Sequence, residues 1–360
     1  RVSNDEFIAL FSLANSGDVA ALYTTFLHNF YTVMGPDFGF KCTFPRGVCL
    51  VTASDVQNLD MNDLFEKVNV AHKTAKLNHS GALVVYNKAL TRAALHTTEI
   101  ESKMADALQN NEFTVYLQPK YHLDTEMVGG AEALTRWRNE NSALFAPNSF
   151  IPVFERNGFI TKLDFYVLET VCVTIKNWIA AGIKPVVVSV NFSKLHLNNR
   201  NFIKELCEVV DRVGIDRKYI EIEITESGIY DNIDKLETLL CDLHQNGFAM
   251  SMDDFGSGYS SLGMLKDLPV DIIKMDRGFF ANQKDIRRSK IVVGSIINMA
   301  AGLGIRIVAE GVEEQQHIDL LRELHCDMVQ GYYYAKPMPI QNFTALIQNP
   351  IRFSHDHAQQ

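Results

Sequence analysis

The chain lacks paired cysteines. Its six, Cys42, Cys49, Cys172, Cys207, Cys241 and Cys326, form no Cys-x-x-Cys pair, and no histidine cluster stands at zinc-ligand spacing. A zinc ribbon or finger is thereby excluded, and the thiols read as reduced, mostly buried groups of a cytoplasmic protein. Long apolar runs are also missing. The longest uncharged stretch, "IVVGSIINMAAGLGI" (291–305), is too short to span a bilayer and carries Ser295 and Asn298. A packed helix leading into a strand is expected there, and no signal-peptide pattern is found. Positive charge is scarce: 34 Lys and Arg face 43 Asp and Glu, a net charge of -9. That balance argues against a DNA or RNA polymer as partner. An anionic ligand must then be met by local cations or metal ions.

What is present is ordinary globular composition, 47% hydrophobic and 21% charged over 360 residues, enough for about two domains. From Phe113 onward, short β-branched segments alternate with amphipathic ones. Strands are expected at "FTVYLQP", "AEALTRW", "PVVVSVNFS", "YIEIEITES", "FAMSMDD", "DIIKMD", "IRIVAEG" and "DMVQGYYY". Helices are expected between them, several closing on a glycine that suits a left-handed C-cap: Gly182, Gly214, Gly247 and Gly304. Eight strands at about 30 residues per unit match a (β/α)8 barrel, with a doubly wound open sheet as runner-up. The first two strands are joined by "KYHLDTEMVGG", with no room for a crossover helix, which points to one antiparallel strand. Ahead of the barrel, "FIALF", "FKCTFPRGVCLVTA" and "GALVVYN" read as strands, and the segments from Gly17 to Met34 and from Met61 to Leu77 read as helices. The expected division is 1–87 for a partial α/β domain, 88–111 for a linker helix, 112–350 for the barrel and 351–360 for a tail.

Nearly every barrel strand finishes in polar, mostly acidic residues: Glu132, Asn191, Glu223 with Glu226, Asp253 with Asp254, Lys274 with Asp276, Glu310 with Glu313, and Gln330. In a barrel these ends form the active-site face. One such carboxylate is usually a helix cap or a solvated loop residue. Five ends doing so together converge enough negative charge to call for cations. Adjacent Asp253 and Asp254 are odder still, because neighbours on one strand point to opposite faces.

Taken in order, these motifs resemble the EAL family of cyclic-di-GMP phosphodiesterases. The naming triplet stands as Glu132-Ala133-Leu134, followed by "FIPVFERNGFI" (150–160), "SVNFS" (189–193), "EIEITES" (221–227), "MDDFGSGYSSL" (252–262), "LPVDIIKMD" (268–276), "VAEGVE" (308–313) and "QGYYYAKP" (330–337). The match runs from about Ile100 to Gln348. The amino-terminal part looks like the second half of a GGDEF domain, with "SNDEF" (3–7) in place of its Gly-Gly-Asp-Glu-Phe. The resemblance implies a modified (β/α)8 TIM-like barrel that hydrolyses cyclic di-GMP to linear pGpG with two Mg2+ or Mn2+ ions.

By that resemblance Glu132, Asn191, Glu223 and Asp253 hold one ion, while Asp253 bridges to a second that Asp254 and Glu310 contribute to. Lys274 positions the attacking water; amid so many acids it is unsuited to act as a base. Glu226 tethers the "DDFGSGYSS" loop, which the family also uses in dimerisation, so a homodimer through the barrel is implied. Gln118 and Arg136 suit the substrate's phosphates, with Leu134, Pro147, Asp164, Glu313, Gln330 and Tyr332 as further substrate contacts. Core packing or capping explains Pro147, Asp164 and Tyr332 almost as well.

Ser3 and Asn4 place side chains where a cyclase has glycines, so the remnant reads as a packing and dimerisation module, with GTP sensing as the sharper alternative. Membrane tethering through a region ahead of Arg1 stays open. The rival from another class is a catalytically silent cyclic-di-GMP receptor. A receptor has no need of Glu132, Asn191, Glu223, Asp253, Asp254, Lys274 and Glu310 together.

Overall fold

The computed structural model describes residues 6–13, 18–35, 44–52, 60–77, 83–138, 144–226, 233–256, 265, 269–280 and 286–349. The chain divides into two compact units, Arg1–Ile100 and Glu101–Gln360.

Unit 1 holds helices α1 (Asp18–Met34) and α2 (Met61–Leu77) and strands β1 (Arg46–Val48) and β2 (Leu83–Val85), which pair in parallel. Gly47 lies so close to the backbone of α2 that a side chain there would strike His72 and Val68. "FIALF" is not a strand: Phe7 to Phe11 lie outside regular structure and Leu10 is 94% exposed. Its apolar pattern has no ladder partner to join among the described residues. Helix α3 (Lys88–Gln109) occupies most of the segment read as a linker helix, and the division between the units falls within it.

Unit 2 is a closed eight-stranded barrel. Its strands, in order around the wall, are β3 (Phe113–His122), β4 (Val128–Arg138), β6 (Val187–Asn191), β7 (Ile220–Thr225), β8 (Ala249–Phe255), β9 (Ile272–Met275), β10 (Arg306–Ala309) and β11 (Met328–Val329). Strand β3 runs antiparallel to both β4 and β11, and the other neighbours are parallel. The tight connection after β3 thus has the expected consequence. Two short strands, β5 (Leu144–Phe145) on β4 and β12 (Met338–Pro339) on β3, were not legible beforehand. "DMVQGYYY" gives only the two residues of β11, because at Gly331 the chain presses on the backbone of Val312 and turns away.

The helices are α4 (Pro147–Asn157), α5 (Ile160–Ala180), α6 (Phe202–Val213), α7 (Ile233–Gln245), α8 (Ile286–Gly302), α9 (Gln315–Glu323) and α10 (Ile340–Gln348). Helix α6 shows why they form. Phe202, Leu206, Val210 and Val213 recur at helical spacing and are the residues it buries. Gly214, at φ +83, ends it by returning its N–H to the Val210 carbonyl at 2.9 Å. Gly182, Gly247 and Gly304 are likewise left-handed.

The strands divide their faces as sharply. In "IEIEIT" of β7, Glu221 and Glu223 meet lysines from other strands, so period-two alternation turns Ile220, Ile222 and Ile224 outward beneath the helices. The inside of this barrel is therefore polar toward one end. Of the five described cysteines, Cys172 and Cys326 are buried, fewer than expected, and Cys241 is exposed. No described helix is long and apolar enough to cross a membrane.

Candidate active site

Parallel pairing sets Asn191 of β6 beside Glu223 of β7, and Thr225 of β7 beside Asp253 of β8. Antiparallel pairing sets Gln118 of β3 opposite Glu132 of β4, with Tyr116 opposite Leu134. Glu132, Leu134 and Arg136 share one face of β4 by alternation, so strand geometry alone gathers the predicted residues on one side.

Lys274 of β9 is the hub. Its ammonium, 1% exposed, reaches Glu310 at 2.7 Å, Asp253 at 3.1 Å and Glu132 at 3.3 Å, and donates a very short hydrogen bond to Glu223. Asp276, two residues further on, caps the turn Arg277–Phe279 through the Gly278 N–H at 2.7 Å. Asn191 donates to the other Glu132 oxygen at 2.9 Å. Gln330 donates to Glu132 and to Gln118 Oε1, while Gln118 Nε2 donates to the Ala335 carbonyl.

One ammonium cannot satisfy four carboxylates. Burial pushes Lys274 toward the neutral form, but Glu132, Glu223, Glu310 and Asp253 overcome it and hold its pKa well above normal. Burial would raise Glu132, yet Lys274, Lys120 and the Gln330 and Asn191 amides keep it at about 2. Glu223 is driven well up by burial and by Glu132 and Asp253. Burial, with Asp253 and Glu132, lifts Glu310 to about 7 against the pull of Lys274. Without further positive charge the cluster keeps protons, and these titrations belong to the group as a whole.

Asp253 and Asp254 overturn the expected alternation. The β8–β9 register shifts between Met252 and Phe255, and Asp254 takes a left-handed φ of +56. That bulge leaves carboxylate oxygens of Asp253, Asp254 and Glu310 within 4.8 Å of one another. Glu226, buried, accepts the Gly256 N–H at 2.8 Å. Ser257 and Gly258, like Ser3 and Asn4, lie outside the described residues.

The donors fit a hard divalent cation. They are carboxylate and amide oxygens, they carry more negative charge than Lys274 offsets, and the buried Glu223 Oε2 accepts no hydrogen bond from the described residues.

The remaining predicted residues are dispersed. Arg136 lies with its guanidinium 5.5 Å from the Tyr116 ring centre, and NH1 donates to the Thr135 carbonyl. Pro147 occupies the first turn of α4, where its missing N–H costs nothing. Asp164 is buried on α5 and accepts from the Ser193 N–H and pairs with His196 Nε2, each at 3.0 Å. Glu313 pairs with Arg277 at 3.0 Å on the surface, and Tyr332 is 57% exposed beside Lys336. Sequence reasoning missed Tyr116, two residues from Gln118 on the same strand face. It also missed Lys120, whose buried ion pair with Glu221 at 3.0 Å is signalled by the alternation of "YLQPK" and "IEIEIT".

A closed barrel with carboxylates gathered around a lysine at its strand ends defines a barrel protein with a hard-cation site. The chain belongs to the EAL domain family, whose profile matches residues 101–337. It is 34% identical over 298 residues to the Cyclic di-GMP phosphodiesterase NbdA of Pseudomonas aeruginosa, covering 81% of this chain and 38% of that protein. It is 26% identical over 350 residues to the Bifunctional diguanylate cyclase/cyclic di-GMP phosphodiesterase MucR of Pseudomonas aeruginosa, covering 96% and 50%. A solved structure of PaMucR phosphodiesterase in a c-di-GMP complex superposes with a TM-score of 0.64 at 30% identity, over 68% of this chain and 99% of that one. The chain thus spans half or less of the length of these curated relatives.

Proposed function

We propose that the barrel hydrolyses one phosphodiester bond of cyclic di-GMP, giving linear pGpG. The observation that carries this reading is the cluster of Glu132, Glu223, Asp253 and Glu310 around Lys274, with Asp254 turned to join it. A barrel that only binds a dinucleotide gains nothing from burying so much like charge. The likeness to NbdA and to the c-di-GMP complex of PaMucR supports the same substrate.

Glu132, Asn191, Glu223 and Asp253 would hold one Mg2+ or Mn2+ ion, and Asp253, Asp254 and Glu310 a second. When bound, such a pair stabilises the attacking and leaving oxygens of an in-line displacement. Water attacks phosphorus, one P–O ester bond breaks, and the released sugar hydroxyl takes up a proton. In the metal-free cluster the surrounding carboxylates raise the pKa of Lys274, and this reading gives it the task of orienting water and carboxylates, not that of a base. Gln118 is fixed by Ala335 and Gln330 at the level of Glu132, ready to serve a phosphate or sugar oxygen. Arg136, beside Leu134 and Tyr116, offers a guanidinium fork to the second phosphate. Pro147, Asp164 and Tyr332 remain substrate contacts in this reading, with Asp164 acting partly through the segment it caps. Glu313 would have to exchange Arg277 for substrate.

Residues 1–87 are read as a degenerate GGDEF-like remnant, supported by the helices and parallel strand pair of unit 1. Its role is packing and dimerisation, with GTP binding the sharper variant. A homodimer through the barrel and a cytoplasmic setting complete the proposal.

The deciding experiment is chromatography of cyclic di-GMP incubated with the purified chain, with Mg2+ or Mn2+ and with EDTA. Metal-dependent pGpG is expected. Tight binding without product would put the silent receptor in its place.

A further inference from the structure

The bulge that turns Asp254 toward Asp253 and Glu310 needs something to hold it. A left-handed φ of +56 is one that a non-glycine residue keeps only when its surroundings impose it. The ladder itself supplies brackets, since Met252 pairs with Ile273 before the bulge and Phe255 with Met275 after it. Beyond Phe255 the chain is gripped twice at Gly256. From one side the Glu226 carboxylate accepts its N–H at 2.8 Å. From the other side stands the ring of Phe279.

Phe279 lies in the turn Arg277–Phe279, directly after the strand that carries Lys274. Its ring stacks on Phe255 with centroids 6.3 Å apart and planes 17° from parallel. The ring edge occupies the place where any side chain at residue 256 would project, so an added methyl would overlap it. Gly256 also has a φ of +91, which favours glycine on its own account.

We infer that Phe279 is a positioning residue: by pressing on Phe255 and Gly256 it locks the bulge and keeps the Asp254 carboxylate on the side of Asp253 and Glu310. Without the ring, the hold on Gly256 among the described residues reduces to the Glu226 carboxylate. Asp254 can then relax toward extended backbone, and an extended strand points adjacent side chains to opposite faces. The clamp also ties the Asp253–Asp254 strand to the strand of Lys274 through one contact. That Asp254 serves a divalent cation rests on the function proposed above; the clamp itself does not.

The test uses the full chain and two readouts, Mn2+ binding by calorimetry and melting temperature in EDTA. Phe279→Ala is expected to weaken Mn2+ binding by about 10- to 100-fold, the usual cost of losing a group that orients a metal ligand. Phe279→Met, which reaches as far as the ring edge, should recover most of it. Gly256→Ala should lower the melting temperature by several degrees in the parent chain, and by less when Phe279→Ala has removed the overlapping ring. Unchanged Mn2+ affinity in Phe279→Ala would overturn the inference. So would an equal melting penalty of Gly256→Ala in both backgrounds. A parent chain that takes up no Mn2+ would instead sink the metal reading, leaving the melting comparison to decide the clamp.

Discussion

Unit 2 fully buries Trp137, Trp178, Phe113, Phe150 and Phe154, whereas in unit 1 the buried apolar side chains among the described residues are Ala71, Ala75 and Ile100. Unit 1 is not short of apolar residues. Phe7, Leu10, Phe11 and Val33 are each more than 60% exposed, and α1 buries none of its side chains. The difference lies in closure. Eight strands joined in a ring leave no open edge and offer a continuous outer face for helices to cover. Among the described residues, two three-residue strands offer one narrow face, below the three or more strands that independent stability usually needs. The closed unit can therefore bear the electrostatic cost of the carboxylate cluster.

Substitutions should separate the two regions in order of size. Glu132→Ala is expected to bring hydrolysis to background while the circular dichroism spectrum stays unchanged, whereas Asp63→Ala on α2 leaves the rate untouched. Near-normal turnover in Glu132→Ala would remove the metal assignment. Lys274→Met should lower kcat by about 10²–10³-fold, the scale of losing one preorganised charge-stabilising group, with KM little moved. Equal damage to both constants would point to a structural salt bridge instead.

Trp137→Ala empties a site lined by Phe113, Phe145, Phe150 and Phe154 and should cost about 3–5 kcal/mol in denaturant unfolding. Val33→Ala on exposed α1 should stay within about 0.5 kcal/mol. If the two were equal, the contrast between the units would fail.

A pH series sharpens it. Glu310 titrates at about 7 instead of 4.5, so it binds its proton more tightly folded than unfolded. Its contribution to stability is full below pH 4.5, declines as the pH rises toward 7 and stays lost above. In EDTA, Glu310→Gln should match the parent near pH 4.5 and gain on it as the pH rises through 7. A constant difference across that range would remove the titration from Glu310. The smallest effect is chemical. Cys241→Ser should delete a fast-reacting thiol, while Cys172 and Cys326, pushed to about 12 by burial, stay silent until the chain is unfolded.

The barrel was legible because each strand is short and β-branched and stops at a polar residue, and because glycines mark the helix ends. The hub was legible too, since alternation places Glu132, Glu223 and Lys274 inward without further information. Other features depend on what a segment meets. "FIALF" has a strand's composition and finds no ladder, and "QGYYY" has a strand's residues and is turned aside at Gly331. The bulge at Asp254 was not legible, because alternation predicts the opposite orientation and the ring of Phe279 lies more than twenty residues away. Asp164 and Pro147 show the limit for site residues: each has a local structural task that a motif match does not reveal.

The reversed first strand has a consequence for wiring. In a barrel of eight parallel strands, whatever is spliced ahead of the chain attaches to the floor, a full strand length from the chemistry. Here Phe113, at the start of β3, pairs with Trp137 near the carboxyl end of β4, so the polypeptide comes in at the mouth. From there Gln118 is five residues along the same strand, about 17 Å at 3.4 Å per residue. A displacement entering at Phe113 would therefore act first on the rim, not on the floor.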